Sequence, residues 1–296
     1  MLTFPDVKKA SIIFGMSAEA YGPLIDDIAP YLFGERYAFE DTEMFKLKAS
    51  DSKNGAEYAG RVYWFEILNR AHLSSVTSII RTCRWAEVAV REHEARNLYG
   101  WAASCRSLME AAGDTGHALG PVPLTLATLH REIKAALKGA SSNSIATCQE
   151  LEDKLIHFSH ARKVAKTDIA PVSHKARPST EYIGFLESMK IVGARDTYAD
   201  FCEIVHPAEQ SVSTLLCKNG TAWILDANGE EGSLDTKVAA YQATMAEVLA
   251  AALNPPLLIL KILHEFDMFT KIKPMRNYNF KNVPMWKKMS DALRAV

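Results

Sequence analysis

The sequence predicts a mainly α protein: an elongated helical bundle with a small β-hairpin insertion and a basic C-terminal arm. Three observations predict it. No proline or glycine occurs between Arg61 and Tyr99, and that run is rich in Ala, Leu, Glu and Arg, which form helices readily. Apolar residues recur at spacings of three, four and seven: Leu73, Val76, Ile80, Cys83 and Val90, then Leu98, Trp101, Cys105, Leu108 and Ala112. Such stripes are the faces by which helices pack in a bundle. The one clear non-helical signal is the turn sequence Asp226-Ala227-Asn228-Gly229, flanked by two short runs.

Taken in order, Ser17 to Leu32 reads as a helix broken at Pro23, and Tyr37 to Leu47 as a short strand pair or irregular chain. The first long helix begins near Ala56. The second ends near Ala112, where Gly113, Gly116, Gly120, Pro121 and Pro123 are expected to stop it. A helix follows over Leu124 to Leu137, then a loop over Gly139 to Asn143. Ser144 can cap a helix with Cys148, Leu151, Leu155 and Phe158 on one side. Lys166 to Ser179 is a basic, proline-bearing linker. Helices resume at Thr180 to Ile191 and Ala194 to His206, and Pro207 suits the first turn of another, to about Leu215. Ala222 to Leu225 and Glu230 to Leu234 read as the hairpin strands. Asn254-Pro255-Pro256 should separate a pair of C-terminal helices. The expected organisation is a helical domain over residues 1–268, with the hairpin at about 221–234, and a basic aromatic arm over 269–296.

The chain has 296 residues, 48% of them hydrophobic, enough for a sizeable core. Its net charge of -1 predicts no polyanion partner from global balance. The distribution is uneven: from Phe269 on, seven basic residues against Asp291 give +6, leaving about -7 for the rest. Five cysteines with no CxxC are expected as buried free thiols in a reducing compartment. Asp6 and Ser11 spoil a signal-peptide pattern at the N-terminus, and Leu257 to Leu263 is too short to span a bilayer. The expectation is a soluble cytoplasmic protein with no membrane partner. No HExxH, P-loop, nucleophile elbow or Rossmann fingerprint occurs, so no metal or cofactor is expected.

Several residue groups carry potential chemistry. Arg106 and Glu110 lie within about 40° of each other on a helical wheel, beside the apolar face, with His117 further along. They read either as a flank-exposed ion pair or as a polar cavity where Arg106 binds phosphate or carboxylate while Glu110 orients it. Arg195, Cys202 and His206 form a second stripe with Tyr198 beside it, and His206 stands at the helix end before Pro207. It can act as an acid, an anion contact or a helix cap. Glu203 and His206 match one copy of a di-iron ligand spacing, which needs more copies. Asp153, His157 and His160 share a helix face and could bind zinc, but that face reads as solvated. In the tail, Lys271, Lys273, Arg276 and Lys281 interleave with Tyr278 and Phe280. Single-stranded nucleic acid binds such surfaces, with cations on phosphates and rings on bases. The other reading is an extended arm docking its aromatics on the bundle or on a second subunit.

Two elements carry a resemblance. Arg106-Ser-Leu-Met-Glu110 and Tyr198-Ala-Asp-Phe-Cys202-Glu-Ile-Val-His206-Pro207 resemble the R-x-L-x-E and Tyr…His-Pro signatures of a bacterial helical family of unknown function. That family is distantly similar to the HEPN helical bundles, many of which are ribonucleases in defence and toxin systems. The resemblance implies that Arg106, Glu110, Tyr198 and His206 converge between helices and bind RNA or a nucleotide. In a ribonuclease, His206 would be the general acid/base and Arg106 would stabilise phosphate charge, with Glu110 and Tyr198 positioning them. The chain departs from the HEPN pattern, since no arginine is followed by a histidine after four to six residues. The rival expectation is a non-enzymatic homo-oligomer or scaffold for a protein partner, with a structural polar cluster.

Overall fold

The computed structural model describes residues 2–50, 54–139, 147–165, 167–226, 228–281 and 283–294. The protein is mainly α. In chain order the helices are α1 (Val7–Ile28), α2 (Thr42–Ala49), α3 (Gly55–Glu94), α4 (Leu98–Leu119), α5 (Val122–Thr128), α6 (His130–Leu137) and α7 (Gln149–His160). They continue with α8 (Ser179–Ser188), α9 (Ala194–Val205) and α10 (Glu209–Ser213). A hairpin of β1 (Leu216–Asn219) and β2 (Ala222–Leu225) leads into α11 (Gly229–Leu263), α12 (Pro274–Asn277) and α13 (Pro284–Arg294).

The chain divides into two compact units. One gathers residues up to Pro30, Ser78–Gly116 and Arg177–Asn254; the other gathers Tyr31–Thr77, His117–Ala176 and the chain from Pro255 on. In the first unit, Phe14, Ile25, Ile79, Leu98, Trp101, Leu108, Phe201 and Leu249 are buried together with α4's apolar stripe. Trp101 meets Phe201 edge-on, with ring centroids 5.2 Å apart. In the second unit the core holds Trp64, Leu68, Leu126, Ile133, Leu155, Leu260, Met275 and Met289. There α13 packs on α5.

Several elements differ from the sequence expectation, each for a physical reason. Helix α1 begins at Val7, where Asp6 Oδ1 accepts from the Lys9 amide; it runs through Pro23 and kinks instead at Gly15, at φ 49°. Thr42–Ala49 is helical because Asp41 caps it, accepting from the amides of Glu43 and Met44. The α3 stripe is offset: Leu73 and Ile80 are half-exposed, while His72, Ser75, Ser78 and Ile79 are buried. Ser75 donates to Ala71 O at 2.7 Å within the helix, and Ser78 lies 3.0 Å from Thr115 Oγ1 of α4.

Helix α4 does not stop at Gly113 or Gly116 but runs to Leu119, just short of Gly120-Pro121. The expected Leu124–Leu137 helix is two short helices that meet at Leu129. Ser144 and most of the expected 139–143 loop lie outside the described residues. The hairpin partner of Ala222–Leu225 lies upstream, at Leu216–Asn219, not at Glu230–Leu234, which opens α11. Gly220, at φ 62°, turns the hairpin; a two-residue loop with glycine first and positive is a II′ arrangement.

Asn254-Pro255-Pro256 does not separate a pair of helices, for α11 runs through it. The helix loses the amide donors of both prolines, but Leu253, Leu257, Leu258 and Leu260 on either side are buried. Gly229–Phe266 is long enough to cross a membrane and contains an 18-residue stretch with a mean hydropathy of 1.6, yet 61% of that stretch is buried within the protein, as in a core helix.

Of the cysteines, all free, Cys83 and Cys105 are buried while Cys148, Cys202 and Cys217 are half-exposed. Burial pushes the Cys83 thiol up to about 12, which keeps it unreactive.

Candidate functional site

In the first unit, Arg106, Glu110, Tyr198 and His206 meet. Arg106 and Glu110 stand one turn apart on α4, so both project from the same face. Tyr198 lies in the middle of α9. His206 follows α9, at φ -89° and ψ 161°, its amide donating to Cys202 O. Extended backbone is what a residue before proline adopts, so Pro207 fixes where the imidazole leaves the helix.

The four groups form a chain of hydrogen bonds. Tyr198 Oη donates to Glu110 Oε1 at 2.6 Å. The same carboxylate oxygen lies 3.3 Å from Arg106 Nε. Arg106 Nε also donates to Tyr198 Oη at 3.4 Å, and Nη1 reaches His206 Nε2 at 3.1 Å. A guanidinium can only donate. His206 therefore accepts at Nε2 and, in this arrangement, is neutral with its proton on Nδ1. Burial first, and then the bond to Glu110, push the Tyr198 hydroxyl above its ordinary range, so it stays protonated and donating. The Arg106 and Glu110 side chains are 24% and 31% exposed and His206 is exposed, so the Arg106–His206 end of the chain faces solvent. Here a guanidinium is held at Nε while Nη1 and an imidazole nitrogen share one exposed edge. An incoming oxyanion could take the Nη1 hydrogen bond and free His206 Nε2.

Ser179 also bonds the Tyr198 hydroxyl. Its place after Pro178 at the start of α8 is legible in the sequence, whereas nothing local ties it to Tyr198.

The other candidates lie elsewhere. Arg195 pairs with Glu187 at 2.6 Å, and Asp114 holds Arg81 at 2.8 Å. His157 is buried, not on a solvated face, and meets His117 edge-on in the second unit with ring centroids 5.2 Å apart. Asp153 and His160 are exposed. Among the described residues, no three His, Cys, Asp or Glu side chains are grouped to hold a metal ion.

In the second unit, the basic segment is folded rather than extended. Phe280 is buried, so its ring is not open to a base. Tyr278 is half-buried. Lys261 sits beneath the segment, donating to the carbonyls of Met275, Arg276 and Tyr278, and over the rings of Phe280 and Trp286. Lys271 is paired with Glu35 at 2.7 Å, and Arg276 Nε donates to His264 Nδ1 at 3.3 Å. Lys273 and Lys281 are exposed.

Comparison of the chain with protein-family models, with curated proteins and with solved structures finds no match.

Proposed function

We propose that the protein binds RNA or a nucleotide at Arg106 and His206, and that it cleaves RNA there without a metal ion. The observation that carries this reading is the 3.1 Å contact between Arg106 Nη1 and His206 Nε2 at a solvent-facing edge. Arg106 would take the non-bridging phosphate oxygens, and its Nη1 would leave His206. The freed, neutral His206 Nε2 would accept the proton of the ribose 2′-hydroxyl as that oxygen bonds to phosphorus. The phosphorus–5′-oxygen bond then breaks, leaving a 2′,3′-cyclic phosphate, and the displaced oxygen takes a proton from water. Glu110 and Tyr198 are positioning residues, fixing the guanidinium through Nε. The two signatures resembling a distantly HEPN-like helical family support the convergence of these residues, while the arginine and histidine come from different helices and not from one R-x(4-6)-H element.

The test is fluorescence anisotropy with labelled single-stranded RNA, beside a cleavage assay. Arg106→Ala should weaken binding roughly tenfold or more, the size of a lost charge-assisted hydrogen bond. His206→Ala should keep most binding and lower cleavage by about 10²-fold or more. Wild-type protein that binds no RNA, or three proteins that behave alike, ends the reading.

A second reading is supported by the hairpin. Trp223, Ile224 and Leu225 are all exposed on β2, and exposed apolar strands are sites of self-association. On this reading the protein is a homo-oligomer, and Arg106→Ala lowers thermal stability with no ligand effect.

A further inference from the structure

Within the first unit, a cavity of about 380 Å³ has Glu110 in its wall. Its walls include Trp85, Arg81, Asp114, Arg177 and Tyr182. The volume is that of a small-ligand site.

The charges decide what could occupy it. Two arginines and two carboxylates line the cavity, giving no net charge. Both arginines are held by acids: Arg81 by Asp114 at 2.8 Å and Arg177 by Glu181 at 2.6 Å. A phosphate would have to compete with those carboxylates. A flat, uncharged heterocycle would not. It could lie against the Trp85 indole and meet both acceptors (the carboxylates) and donors (the guanidinia and the Tyr182 hydroxyl) along its edge. Glu110 belongs to this wall and also to the Arg106 chain, so a ring here would adjoin a phosphate on Arg106.

We propose that this cavity is a nucleobase subsite, and that it prefers guanine. Resting on the RNA reading above, it adds which base sits next to the bound phosphate. The Asp114 carboxylate is oriented by Arg81 and accepts hydrogen bonds only. Guanine presents two parallel N–H donors, from N1 and the 2-amino group, on the one edge that a carboxylate can accept together. Adenine and cytosine offer an amino group without the adjacent ring N–H, and uracil offers a ring N–H without the amino group.

The experiment measures anisotropy on short uridine oligomers carrying a single guanine, adenine or cytosine. Wild-type protein should bind the guanine oligomer about tenfold tighter than plain uridine, the size of one bidentate base contact. Asp114→Asn should erase that preference. Trp85→Ala should weaken binding of every oligomer, and Trp85→Phe should restore most of it, because a ring is kept. Thermal melting of each variant separates lost binding from lost fold. Equal wild-type affinity for all oligomers, while Arg106→Ala still weakens binding, overturns the subsite and leaves the RNA reading standing. Wild-type protein that binds none of them overturns both.

Discussion

His72 is a histidine whose surroundings hold it neutral. It is buried in the second unit, with Tyr37 Oη 2.8 Å from its Nδ1 and the Phe269 ring stacked at 4.1 Å. Phe269 reaches that position at φ 53°, a left-handed conformation rare for an aromatic residue. Burial is the main cause that pushes the His72 pKa down to about 4. The unfolded chain protonates its histidine near 6.5. Between these values the unfolded state binds a proton that the folded state refuses, so stability falls as pH drops from about 6.5 to about 4 and levels off below. The shift corresponds to about 3 kcal/mol. His72→Gln keeps an acceptor for Tyr37 and removes the titration. Urea unfolding at pH 7 and pH 4 should show wild type losing about 3 kcal/mol more than the variant between the two conditions. Equal losses would mean that His72 takes its proton without unfolding.

At the scale of the element, Gly113 shows how a sequence signal can be sound and its meaning misread. A glycine in a helix usually weakens it, by about 1 kcal/mol against alanine, which is why Gly113 looks like a stop. Helix α4 passes through it because α8 crosses there: a Cβ at Gly113 would lie 2.3 Å from the Tyr182 carbonyl oxygen. Gly116 likewise admits the Met189 methyl, which a Cβ would meet at 2.7 Å. Two effects of Gly113→Ala oppose each other, a propensity gain of about 1 kcal/mol and a backbone clash that forces helices apart at about 1–3 kcal/mol. The neighbour is main chain and cannot swing away, so the clash wins. Thermal or urea unfolding of Gly113→Ala should show a net loss of up to about 2 kcal/mol, and a stabilised variant would refute the close approach. The same distinction explains what is legible in the sequence. The α4 stripe from Leu98 to Ala112 is readable, because burial follows the helical period there. So is the short spacing of Arg106 and Glu110. The meeting of Arg106 with His206 follows only from a resemblance, since nothing local records a contact across 100 residues. Pro255-Pro256 misleads because local propensity points to a break, whereas buried leucines on both sides carry the helix through. The hairpin register is missed because the Asp226–Gly229 turn signal outweighs Gly220-Thr221, the two-residue loop flanked by the paired Asn219 and Ala222.

For the whole molecule, charge separates the two functional readings. The chain has a net charge of -1 and a pI of about 6.8, so two copies near neutral pH repel each other little. Contact between copies through the hairpin would be apolar: Trp223 is 63% exposed and Leu225 79%. Among the described residues no third strand pairs with β1 or β2, so β2 offers an open edge. A second β2 could pair with it across a twofold axis, which closes after two copies. One hairpin supplies less than the roughly 1,200 Å² of a stable interface, so this dimer should be weak. Sedimentation velocity should show a dimer that grows with protein concentration and is insensitive to salt. The double variant Trp223→Ser, Leu225→Ser should remain monomeric throughout. RNA binding should behave oppositely, weakening steeply as salt displaces protein from the phosphates, by about 0.7 log units per log unit of salt for each contact on a single strand. Association that persists in the double variant removes the hairpin as its cause. Association that falls with salt while RNA binding does not would reverse the assignment of both surfaces.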